Sequence, residues 1–261
     1  MTIHLSYCSR ASRAVFALWM GALFLGLVYG VAADERALKD SDFHIAMILI
    51  YMLLGGLFSI VFPATTVTTE KETRSWPILL GTTLGDWRIV LAKGLGAIRR
   101  SLPAWGFLAI HTAIFVAIGT LHPVASLQLA IASIGLIAFV TGTGLYFSSR
   151  LRHTTTAVIA NLAVPIVLWV LAPIILGILS EINHTSGQFV MEYMSLCPFA
   201  QAIFIAEPAA RHWAGVTYNF GSTRMDMIEA NTFLLTTMMV LVFLGLVSAA
   251  MAKANLRKRI F

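Results

Sequence analysis

Residues 126–148, SLQLAIASIGLIAFVTGTGLYFS, run from end to end without a charged side chain. A helix rises about 1.5 Å per residue, so about 20 such residues cross a hydrocarbon layer about 30 Å thick. The stretch is continuously apolar and lacks the alternation of a lipid-facing barrel strand. Five more blocks read the same way, at 14–33, 45–67, 102–120, 155–179 and 231–252. The composition agrees: 58% of the 261 residues are hydrophobic and 11% charged. Ordinary soluble domains carry roughly 45–50% apolar and about 25% charged residues. The expected fold is an all-α membrane protein, a six-helix transmembrane bundle forming one domain over residues 1–261. Pro165 and Pro173 predict kinks in the fifth span.

The net charge of +6 is a topology signal rather than a nucleic-acid signal. Of the 18 basic residues, 14 fall on one side of the six blocks, and nine of the 12 acidic residues fall on the other. The basic side is the cytoplasmic one, which places both termini in the cytoplasm. A rival reading takes Arg10, Arg13 and the apolar run ending Val31-Ala32-Ala33 as a cleaved signal peptide, although the block exceeds a usual signal core. The two cysteines, Cys8 and Cys197, fall on opposite sides and cannot pair within one chain. Asn183-His184-Thr185 matches a glycosylation acceptor on the outer side, a chance match in a bacterial chain.

Two connections exceed what joining helices requires. The cytoplasmic loop 68–101 contains EKETRSWPILLGTTLGDWR at 70–88. Ser75 reads as a helix cap before Pro77, and Asp86 as the cap of a second helix beginning at Trp87. Trp76, Leu79 and Leu80 form an apolar ridge beside charges. Such a helix either lies against the membrane or enters a groove on a soluble partner. The external loop 180–230 contains MSLCPFAQAIFIA at 194–206, too short to span, and reads as a re-entrant or interfacial helix.

The chemistry that is missing also informs. There is no P-loop, no HExxH, no GxSxG and no paired-Cys metal spacing. All 12 acidic residues fall outside the six blocks, which counts against a secondary transporter using buried carboxylates. His111 and Asn161 are the notable polar residues within spans, and each reads as an interhelical hydrogen-bonding group. Gly26 and Gly30 make a GxxxG compatible with close helix contact.

The segment from Glu70 to Lys93 resembles the signature of the permease subunits of type-2, exporter-like ABC transporters. Without gaps, Glu70, Lys71, Ser75, Leu79, Leu80, Thr82, Leu84, Ile89 and Lys93 match the pattern. Arg74 stands for its usual Gly, Pro77 for its Glu and Thr83 for its Pro. The organisation is similar too, with a short basic loop between spans four and five and external helices before the last span, although the N-terminal elbow is short. The resemblance implies a coupling helix docking on a separate ATP-binding cassette ATPase subunit. Its contacts would be Glu70, Glu72, Arg74, Trp76, Leu79, Leu80, Thr82 and Leu84, with Arg150 and Arg152 as the second contact. It implies a second permease copy or paralogue alongside, no cofactor bound by this chain, ATP acting through the partner, and a bacterial inner-membrane location. The chain would not itself be an enzyme. The alternatives are a membrane anchor or assembly factor recruiting a soluble partner through the same loop, or a secondary carrier.

Overall fold

The computed structural model describes residues 21, 26, 29, 30, 33, 40–81, 83–184, 187–211, 217–220 and 223–256. In chain order the elements are α1 (Ser41–Thr65), α2 (Thr68–Glu72), α3 (Trp76–Leu80), α4 (Asp86–Ile118), α5 (Pro123–Arg150) and α6 (Thr154–Ile166). A π-helical turn, Val167–Leu171, leads into α7 (Ala172–Ile182), α8 (Gln188–Ser195) and α9 (Pro198–Arg211). A hairpin of β1 (Tyr218–Phe220) and β2 (Thr223–Met225), paired antiparallel with Tyr218 opposite Met225, precedes α10 (Met227–Asn255).

Five segments are long and apolar enough to cross a membrane: Asp42–Glu72, Asp86–Ile118, Pro123–Arg150, Thr154–Ile182 and Met227–Asn255. The chain is thus a multi-pass membrane protein by composition. A sixth crossing would come from α8 and α9, which meet at a bend of 92° around Leu196 and Cys197. The first expected span, 14–33, lies largely outside the described residues; Gly21, Gly26, Tyr29, Gly30 and Ala33 are helical. Two compact units are present, Met1–His44 and Ile45–Phe261. In the first, Tyr29 packs edge-on to Phe43 at 6.2 Å.

Within the second unit, small residues let helices meet backbone to backbone. A Cβ placed on Gly142 of α5 would lie 2.0 Å from the Gly245 carbonyl oxygen of α10, and one on Gly245 would lie 2.4 Å from the Ala138 oxygen. Gly55 of α1 accommodates the ring of Trp105 from α4, whose indole N–H donates to Ser59 Oγ at 2.9 Å. Asn161, fully buried, ties three helices: its amide donates to the carbonyls of Ile60 (2.7 Å) and Val140 (3.2 Å) and accepts from Thr143 Oγ1 (2.7 Å). His111 is packed between the rings of Tyr51 and Phe115. In membranes such polar groups must find partners within the protein.

The prolines of the fifth span act through the π turn. Ala172 N–H bonds back five residues to the Val167 carbonyl. Continuing that register would require a donor at Pro173, which has none. The Leu168 carbonyl instead accepts from the Tyr193 hydroxyl of α8 at 2.7 Å. The sequence-predicted re-entrant stretch is therefore split: Tyr193 holds α8 against the fifth span, and α9 buries Ala202, Ile205 and Ala206.

One expected boundary moves substantially. The third expected span begins at Asp86, not at residue 102, so the connection from the segment ending at Glu72 is short, holds only α3 and ends at Gly85. At 33 residues, α4 is about 50 Å long.

Candidate functional site

At the basic end, α2 follows α1 and is bonded to the ends of α4, α5 and α6. A helix end leaves backbone groups without intrahelical partners, and these invite side chains from elsewhere. Ser148 Oγ, in the last turn of α5, accepts from the N–H groups of Val67 (2.9 Å) and Thr68 (3.1 Å) at the start of α2. Lys71 returns the contact, its ammonium donating to the carbonyls of Ser148 (3.2 Å), Ser149 and Leu151 (3.0 Å). A cation at a helix C-terminus also complements the helix dipole. Glu72 reaches the opposite kind of terminus, accepting from Thr154 N–H (2.7 Å) and Oγ1 (2.9 Å) in the first turn of α6. Glu70 pairs with Lys93 of α4. Three consecutive charged side chains thus bind α2 to three different helices.

Next the chain turns. Arg74 N–H bonds the Lys71 carbonyl and Ser75 N–H bonds the Glu70 carbonyl, with Arg74 at φ 58°. This is a Schellman ending, whose left-handed residue is usually glycine. The turn aims α3 back into the bundle. Trp76 is fully buried among Val67, Ile89, Val90, Leu145, Ala252 and Leu256, with Leu79 and Leu80 packed against the same cluster. Ile78, on the opposite side of α3, is 75% exposed, and Pro77 is exposed beside it. The end of α10 adds a cation–π contact, Lys253 Nζ lying 5.4 Å from the Trp87 ring.

The sequence-predicted residues separate accordingly. Glu70, Glu72, Trp76, Leu79 and Leu80 hold the segment in place, and the ridge faces inward. Arg74, Leu84, Arg150 and Arg152 are exposed; Thr82 lies outside the described residues. Two expected caps are corrected. Ser75 makes no cap bond, because its hydroxyl contacts the Glu70 carbonyl (3.3 Å) and Thr73 Oγ1 (3.0 Å). Gly85, not Asp86, is the cap position of α4, and Asp86 occupies the first turn. Sequence reasoning missed Lys71, Ser148 and Thr154 as site residues, and the exposed tip at Ile78.

At the other end, the Gln128 amide of α5 donates to Asn231 of α10 at 2.7 Å and lies 3.4 Å from the hydroxyl of Tyr218 on the hairpin. Burial pushes the Tyr218 phenol above its ordinary range, and the Gln128 contact opposes this. Among the described residues no group of three or more His, Cys, Asp or Glu is placed to hold a metal.

Fold and site define the class of a multi-pass helical membrane protein with a rigidly seated polar-end segment. No protein-family model matches the chain, and no characterised protein is significantly similar to it.

Proposed function

We propose that the chain is the membrane-spanning permease subunit of an ATP-driven ABC transporter, working with a separate ATP-binding subunit. The observation that carries this reading is α3: rooted by Trp76 and presenting Ile78 and Pro77 outward. An apolar tip on a seated helix suits a groove on a soluble partner. Its seat would pass movement of the tip to α4, α5 and α6 through Lys93, Ser148 and Thr154. The left-handed Arg74 supports the reading as well, since glycine is usual at that position of the family pattern. With the basic end cytoplasmic, ATP would be hydrolysed on that side, and a second permease copy would complete the pathway.

The test is co-expression with an ATP-binding cassette subunit encoded beside this chain, followed by purification. Wild type is expected to retain the ATPase, and Ile78→Asp, an exposed position, to lose it while folding normally. If wild type retains no ATPase, or Ile78→Asp retains it fully, the coupling assignment fails. Retention without ATP-dependent transport would favour the anchor reading instead.

A further inference from the structure

A cleft of about 420 Å³ opens between α1–α2 and α4 at the basic end, lined by Thr65, Thr69, Glu70, Lys93, Gly96 and Arg100 among others. Its charge is uneven. Glu70 is matched by Lys93, whereas Arg100 is exposed and makes no ion pair to another described residue. The threonines have already committed their protons: Thr65 Oγ1 donates to the Phe62 carbonyl (2.9 Å) and Thr69 Oγ1 to the Thr65 carbonyl (2.7 Å). One wall therefore offers hydroxyl oxygens as acceptors, and the other offers the Arg100 guanidinium as a donor.

Depth identifies the occupant. The far end of α4 is Ile118, and the 18 residues from there to Arg100 span about 27 Å, close to the thickness of the hydrocarbon layer, about 30 Å. Arg100 therefore lies at headgroup level, with Gly96 and Lys93 one to two turns further out.

We infer that this cleft binds an anionic glycerophospholipid with a hydroxylated headgroup. Its phosphodiester sits on Arg100, the cleft cation that Glu70 does not neutralise, and its headgroup hydroxyls donate to the threonine oxygens. This differs from the loose attraction of interfacial arginines for any membrane, because Arg99, at the same depth, does not line the cleft. The site is independent of the transport reading.

Native mass spectrometry of the detergent-purified full chain titrated with phosphatidylglycerol or phosphatidylcholine tests it. Phosphatidylglycerol is expected to bind at least about tenfold tighter, and Arg100→Ala to remove about tenfold, the scale of losing one charge-assisted bond. Gly96→Leu, placed where an added Cβ meets nothing within 4 Å, should block binding without changing charge. Arg99→Ala should leave it intact. Equal loss in Arg99→Ala, or equal binding of the two lipids, overturns the site. Displacement of the lipid by millimolar glycerol phosphate or inorganic phosphate would identify a soluble phosphate ligand instead, and would overturn the lipid assignment.

Discussion

Replacing Trp76 with alanine probes the seat of α3 most directly. The side chain is fully buried against residues from four elements and connections. Removing a buried Trp of this kind costs about 3–5 kcal/mol. That loss should fall locally, because α3 has five residues and isolated helices under about 12–15 residues are marginal in water. Everything from Thr73 to Gly85 relies on the anchor. At 1.4 kcal/mol per tenfold, local opening should rise by about 10²- to 4 × 10³-fold. Hydrogen–deuterium exchange in detergent reads this as faster exchange in peptides covering 73–85, while peptides in the middle of α5 stay protected. The indole N–H has no acceptor among the described residues, so Trp76→Phe gives up apolar area alone and should recover most of the protection. If Trp76→Ala exchanges within threefold of wild type over 73–85, Trp76 is not the root of the segment and the argument for a seated lever collapses.

Gly142→Ala drives a methyl group into the Gly245 carbonyl and should cost about 1–3 kcal/mol or more by forcing α5 and α10 apart. Gly106→Ala, with nothing within 4 Å of the added Cβ, is the matched control and should leave the melting temperature unchanged or raised. Arg74→Gly removes left-handed strain and should stabilise by up to about 1 kcal/mol; a lower melting temperature would contradict the Schellman assignment. Tyr218 supplies a pH prediction. Its folded pKa is raised above the ordinary 10.0, so its contribution is fully present below that value and is lost as pH rises through the folded pKa. Unfolding stability followed from pH 9 upward should fall more gently in Tyr218→Phe than in wild type.

The spans were legible because lipid leaves a long apolar run few options, and five of the expected blocks fall on helices that qualify as crossings. Hydropathy reports the solvent, however, and not the hydrogen-bond ladder. α4 keeps its helix through Arg88, Lys93, Arg99 and Arg100, where the apolar signal has stopped, and its start was therefore read 16 residues late. The π turn at 167–171 was legible only as two prolines, since its rescue by Tyr193 depends on a residue 25 positions away.

The polar end was half legible for a related reason. Trp76, Leu79 and Leu80 do share one side of α3, as their spacing implies, but a stripe does not name what covers it. Here the exposed tip at Ile78 is what remains after the bundle has taken the stripe. Ser75 shows the same competition at one residue, its N–H drawn into the helix ending before it and its hydroxyl turned to Glu70. Ser148 and Thr154 were invisible because their bonds answer vacant helix ends about 80 residues away. A serine closing a span and a threonine opening the next look like ordinary boundary residues until α2 is laid between them. That position gives displacement of the tip a second route, through α2 to α4, α5 and α6, beside the direct packing of the ridge on α4, α5 and α10. Glu72→Gln would then separate seat from tip: it weakens the hold on α6 and leaves Ile78 exposed.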